Sequence, residues 1–202
     1  MRIADLADRR IAIWGYGREG RAAVAAIRAR LPQQSITVFC ADAEARDLSN
    51  DLDRGQSKIE SSRDATRVQD RDGERSSPSR VSTISVPPDA AALSAFDVVV
   101  KSPGISAYRP EILEAQHNGT LFTSGSALWF AEHPDARVIA VTGTKGKSTV
   151  SALIAHFLRA LGRRTALAGN IGLPLLDLID PPVVPDWWVV ELSSFQTRAA
   201  PR

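Results

Sequence analysis

The 202 residues carry 25 Lys plus Arg against 23 Asp plus Glu, a formal net charge of +2, and 44% of them are hydrophobic. That balance suits a globular chain of one or two domains, and the lack of any long Lys or Arg run argues against nucleic-acid binding. One cysteine, Cys40, excludes an internal disulfide framework. With no signal-type apolar core after Met1 and no run near the ~18 apolar residues of a span, a cytoplasmic protein without a membrane partner is expected.

Arg10 to Trp14 reads as a short buried strand. Gly15-Tyr16-Gly17-Arg18-Glu19-Gly20 follows, then an Ala-rich helical run from Arg21 to Leu31 closed by Pro32. Ser35 to Cys40 is a second strand. This strand-helix-strand unit predicts a parallel sheet with right-handed crossovers. The Gly15-x-Gly17-x-x-Gly20 spacing after a strand suits a nucleotide diphosphate, the plain alternative being a tight turn that packs strand on helix. Asp42, just past the second strand, is placed for a ribose or uracil contact or is a solvated loop carboxylate.

Residues 49–85 are mostly Asp, Arg, Ser, Gln and Glu, with neither helical nor strand periodicity, and are expected to be a disordered or loosely attached insertion. Order returns near Ala90. Phe96 to Val100 is a strong strand, followed by Lys101-Ser102-Pro103-Gly104-Ile105. Pro110 to His117 is a helix that opens on proline and stops before Asn118-Gly119. Thr120 to Thr123 is a short strand and Ser126 to Glu132 a helix. His133-Pro134-Asp135 marks a boundary between domains at 1–134 and 135–202.

A second strand, Arg137 to Val141, runs into Thr142-Gly143-Thr144-Lys145-Gly146-Lys147-Ser148-Thr149. A helix from Ser148 to Leu161 follows, with apolar residues at Val150, Leu153, Ile154, Phe157, Leu158 and Leu161. Strand, glycine loop and helix in that order make a phosphate loop: backbone N–H groups and a helix N-terminus face the phosphates. Lys147 is placed to reach the β/γ-phosphates, and a Ser148 or Thr149 hydroxyl to ligate Mg²⁺. Val141 stands where the usual first glycine would be, so this is a shorter form, Gly-Thr-x-Gly-Lys-Ser-Thr. Thr165 to Ala168 and Trp187 to Leu192 are the next strands. Glu191 lies at the carboxyl end of the latter, where open α/β sheets place ligands and where a carboxylate suits a hard cation.

The shorter loop resembles the ATP loop of the Mur ligase family. Gly169-Asn170-Ile171-Gly172 and Glu191-Leu192-Ser193-Ser194-Phe195-Gln196 resemble two further motifs of that family, in its order, and Ser102-Pro103-Gly104-Ile105 a fourth. The run from Phe122 to His133, with Lys145, is similar to a subgroup that adds L-glutamate rather than D-glutamate. The resemblance covers most of the chain outside roughly 43–88.

The resemblance implies a Rossmann-like, parallel-sheet domain that binds a UDP-linked substrate, followed by the first part of an α/β P-loop ATPase domain. It implies ATP-dependent amide formation, adding glutamate to UDP-N-acetylmuramoyl-L-alanine through an acyl phosphate, with ATP and Mg²⁺ and as a monomer. It assigns ATP contacts to Gly143, Thr144, Lys145, Gly146, Lys147, Ser148 and Thr149. Mg²⁺ falls to Ser148 and Glu191, and a contact to the muramoyl substrate near the metal to Asn170. UDP contacts fall to Gly15, Gly17, Arg18, Glu19 and Gly104, and to Asp42 unless the family's acidic position is Cys40. A carboxylate repels a diphosphate, so Glu19 is expected to act through its backbone N–H. Family members are longer, so the chain is expected to be an N-terminal portion, inactive in ligation alone, whose second sheet has an apolar edge. The rivals are a non-catalytic nucleotide-binding module or degraded copy, another Mur-type ligase, and a nicotinamide-dependent oxidoreductase.

Overall fold

The computed structural model describes residues 1–63, 81–193 and 196–197, with the backbone alone for 53–63. Two parallel sheets make an α/β fold. The first has the order β3-β2-β1-β4-β5, from strands β1 (Ile11–Trp14), β2 (Ile36–Phe39), β3 (Val81–Ile84), β4 (Val98–Lys101) and β5 (Leu121–Thr123). Helices α1 (Arg18–Arg30), α2 (Asp42–Arg63), α3 (Ala90–Ser94), α4 (Pro110–His117) and α5 (Gly125–Glu132) connect or follow these strands. β1 is fully buried and pairs in parallel with β2 on one side and β4 on the other. The chain moves outward from β1 through β2 to β3, then returns to the opposite side of β1. The carboxyl ends of β1 and β4 therefore form a topological switch point, the crevice where such sheets take ligands.

The second sheet has the order β6-β8-β7, from β6 (Val138–Val141), β7 (Thr165–Gly169) and β8 (Trp187–Glu191), with α6 (Lys147–Ala160) between β6 and β7. Apolar groups join the layers. Trp129 of α5 is fully buried and meets the Trp188 ring edge-on at 4.7 Å while stacking on His133 at 4.5 Å. Arg30 bridges Glu132 at 2.8 Å and Asp180 at 2.7 Å.

Disorder was expected over 49–85, and regular elements stand at both ends of that stretch. α2 covers 42–63, β3 covers 81–84, and 64–80 lie outside the described residues. α2 needs few apolar residues because it packs through a narrow stripe in which Leu48 is fully buried and Leu52 partly so. Arg21 pairs with Asp47 and Asp51, and the Tyr16 hydroxyl donates to Asp51, so polar contacts hold its outer turns. β3 is an edge strand with three of four residues exposed, which its polar composition tolerates.

The helix expected over 148–161 forms as α6, yet its buried residues are Ser151 and Ala155. Val150, Leu153, Phe157 and Leu161 are exposed. β6 is likewise an outer strand whose residues are only half-buried or exposed. No helix among the described residues is long and apolar enough to cross a membrane.

Candidate functional site

Two loops sit at carboxyl ends of strands, one per sheet. In the first sheet, β1 turns at Gly15 into α1, whose first residue is Arg18. A Cβ on Gly20 would run into the Gly15 carbonyl oxygen, so this spacing lets α1 press against its own loop. Gly15, Gly17 and the α1 N-terminus thus form the turn that the spacing predicts. Beside it, Ser102 donates its hydroxyl to the Gly15 carbonyl at 3.3 Å. The half-buried Lys101 donates from Nζ to the Ile105 carbonyl at 2.9 Å, bracing the turn that holds Gly104, and burial lowers its pKa. Around Gly104 an added Cβ would meet only open space.

The carboxylates near this loop are arranged in a way the sequence did not indicate. Asp42 is exposed at the start of α2. Glu44 turns back instead: its Oε2 accepts the Ala41 N–H at 3.2 Å and the Tyr16 N–H at 3.4 Å. A glutamate at the third helical position reaching back to the residue before the helix is half of a capping box, which is the signal that could have found it.

Glu19 is half-buried, with Oε2 turned toward α5, 3.2 Å from where a Gly125 Cβ would stand. Burial chiefly raises its carboxyl pKa above the ordinary 4.5; Arg18 works against that shift and Asp177 with it. Its side chain thus faces the junction between the sheets. Because folding raises this pKa, the protonated form is favoured in the native state. The unfavourable contribution of Glu19 is absent below the ordinary carboxyl pKa and grows as pH rises through the folded value. Glu19→Gln is therefore expected to raise the thermal midpoint at pH 7, with the gain vanishing near pH 4; an unchanged midpoint at pH 7 would contradict this placement.

In the second sheet, β6 ends at Val141 and the loop 142–146 leads into α6. Gly146 caps the helix at φ 76°, ψ 1°, a left-handed conformation that favours glycine, and turns the chain so that Lys147 opens α6. Gly143, Thr144, Lys145 and Gly146 are exposed, as are Ser148 and Thr149 in the first helical turn. Lys147 donates from Nζ to the Gly143 carbonyl at 2.8 Å, so its ammonium lies across the loop.

Glu191 closes β8, the central strand, in register with Val141 on one side and Gly169 on the other. The Asn170 N–H donates to the Glu191 carbonyl at 3.0 Å, and the Leu192 N–H to the Val141 carbonyl at 2.9 Å. The structure therefore gathers the loop at 143–149, Asn170 and Glu191 at one end of one sheet. Glu191 is 4% exposed, and its Oε2 has no hydrogen-bond partner among the described residues. A buried carboxylate oxygen left unpaired is costly unless a cation answers it, which fits a divalent metal with oxygen ligands. Among the described residues no cluster of three or more His, Cys, Asp or Glu forms a self-contained metal site. A metal here would share its shell with a hydroxyl such as that of Ser148 and with ligand phosphates.

The arrangement can be set beside known proteins. No family model matches the chain. It is 48% identical over 202 residues to the UDP-N-acetylmuramoyl-L-alanine–L-glutamate ligase of Xanthomonas axonopodis pv. citri, covering 98% of this chain and 38% of the relative. It is 41% identical to the ligase of the same name from a Micromonospora species, covering 97% of this chain and 37% of that one. The chain corresponds to the N-terminal portion of a Mur ligase. It spans about 38% of the length of the curated relatives it matches. A solved UDP-N-acetylmuramate:L-alanyl-gamma-D-glutamyl-meso-diaminopimelate ligase from Neisseria meningitides is 20% identical, with 91% of this chain and 52% of that one covered, at a TM-score of 0.44.

Proposed function

We propose that this chain is the UDP-substrate-binding and ATP-loop portion of a cytoplasmic Mur ligase that adds glutamate, L-glutamate by its relatives' names, to UDP-N-acetylmuramoyl-L-alanine. The observation that carries the reading is Glu191: buried, unpaired at Oε2 and in register with the strand that feeds the phosphate loop. The relatives' names support the peptidoglycan-precursor substrate. The domain division at 134–135 belongs to the same reading, with one parallel sheet on either side of it.

On this reading, the L-alanyl carboxylate attacks the γ-phosphorus of ATP, ADP leaves, and the glutamate amine then displaces phosphate from the acyl phosphate. Phosphoryl transfer of this kind depends on positioning and charge neutralisation. Lys147 gives up the Gly143 carbonyl for the β/γ-phosphate oxygens, and backbone N–H groups of the loop and the α6 N-terminus hold the rest. Ser148 and Glu191 are the residues that would hold Mg²⁺, which neutralises phosphate charge when bound. Asn170, tied to Glu191 through the backbone, faces the muramoyl substrate. Gly15, Gly17, Arg18 and Glu19, the last two through the backbone of their loop, hold the UDP diphosphate, and Gly104 lines the uridine.

Titration calorimetry with the 202-residue polypeptide tests this. MgATP and UDP are each expected to bind, NADH not. Phosphate release with UDP-N-acetylmuramoyl-L-alanine, ATP and glutamate is expected to stay at background. NADH binding without ATP binding would overturn the reading in favour of an oxidoreductase.

A further inference from the structure

The segment that carries Glu191 is anchored by a group from the other sheet's layer. Gln196 is 2% exposed. Its Oε1 accepts the Ser193 N–H at 2.9 Å and the Ser193 hydroxyl at 3.0 Å, which closes a local turn. Its Nε2 reaches across and donates to Ser126 Oγ at 3.1 Å. Ser126 is 1% exposed and lies in the first turn of α5, where the Ser124 side chain accepts the Ala127 N–H. The same turn receives the glycine loop of the first sheet: a Cβ on Gly125 would stand 3.2 Å from Glu19 Oε2 and 3.2 Å from Leu176 Cδ1. A second tie runs in parallel, since the Arg18 guanidinium donates to the Gly172 carbonyl. The loops after β7 and β8, which flank the candidate metal and phosphate site, are thus each held by residues next to the candidate diphosphate loop.

Local closure alone explains the Oε1 contacts of Gln196. It leaves the Nε2 contact, which needs a partner on a helix of the other layer and is made with both groups buried. A buried hydrogen bond of this kind fixes one arrangement of the two segments, because breaking it strands a donor away from water. We propose that Ser126 and Gln196 are positioning residues that lock the Glu191 loop onto the first turn of α5, so that filling the diphosphate loop and filling the Mg²⁺–nucleotide site favour one another. The inference rests on the reading of the two loops as UDP and ATP sites. Coupling of this kind is reciprocal, so each ligand must tighten the other by the same factor.

The experiment is calorimetry on the full 202-residue chain, titrating MgATP with and without saturating UDP, and UDP with and without saturating MgATP. In the parent chain each ligand is expected to tighten the other about fivefold. In Ser126→Ala the factor falls to about one, with each ligand alone binding within about twofold of the parent. Ser126→Thr, which keeps the hydroxyl, restores the coupling. A merely structural serine would lower the melting temperature without moving the coupling factor, and that result overturns the proposal. So does a parent chain that binds both ligands independently. If the parent fails to bind MgATP or UDP alone, the two-site reading itself falls, and the single-ligand titrations show which. If Ser126→Ala does not fold, Gln196→Leu removes the donor of the same bond, together with the Ser193 contacts, and its coupling factor is read in the same way.

Discussion

Lys147→Ala is expected to weaken ATP binding about a hundredfold, roughly 2.8 kcal/mol at 1.4 kcal/mol per decade, while leaving UDP binding unchanged. The magnitude follows from what the ammonium does in each state. Without nucleotide, Nζ holds one carbonyl, that of Gly143, in an exposed loop. Releasing that contact costs little, because water satisfies both partners. With ATP bound, the same group faces phosphate oxygens carrying formal charge, and charge-assisted hydrogen bonds are about twice as strong as neutral ones. Lys147→Arg is expected to recover only part of the loss, because the flat guanidinium does not fit a curve shaped for a compact ammonium. Since Lys147 contributes no core contact, the melting temperature should hold. A Lys147→Ala chain that binds ATP as the parent does would show that 142–149 is only a turn between β6 and α6.

Features held by local chemistry were legible in the sequence. α4 spans Pro110–His117, the range that its proline start and Asn118-Gly119 stop predict. The two glycine loops fall at strand ends, because each follows a short apolar run and precedes a helical one. Features held by distant contacts were not. α2 leaves no helical signal, because a helix that packs through Leu48 and Leu52 shows almost no apolar period. Glu44, not Asp42, turns back to the loop, and its backward reach from the third helical position is a local pattern. The direction of the Glu19 carboxylate depends on α5, and the partner of Gln196 is 70 positions away, so neither leaves a local trace. α6 illustrates the converse: period 3.6 reports that an apolar face exists, not what covers it, and here Val150, Leu153, Phe157 and Leu161 lie exposed.

Trp129→Ala is expected to cost about 3–5 kcal/mol, the range for emptying a buried aromatic site. Trp129 is fully buried where α5 meets β8. Its ring contacts Phe130 at 5.3 Å, His133 at 4.5 Å and Trp188 at 4.7 Å, and its Nε1 donates to the Leu178 carbonyl at 3.5 Å. These neighbours come from α5, the turn before 181 and the second sheet, so no single segment can collapse into the space left behind. Trp129→Phe, which keeps an aromatic body, should cost much less. Trp188→Ala should also be destabilising, and the double variant should lose less than the sum of the two, because each single change already removes the pair's own 0.5–1.5 kcal/mol. Urea unfolding followed by far-ultraviolet circular dichroism reads this without interference from the chain's four tryptophans. If the two sheets share this core, the parent unfolds in one transition and a polypeptide of residues 136–202, which lacks Trp129, shows none. A Trp129→Ala chain within 1 kcal/mol of the parent would mean that the layers are not joined through this residue, and the Ser126–Gln196 tie would then lack the rigid frame it needs to pass anything between the two loops.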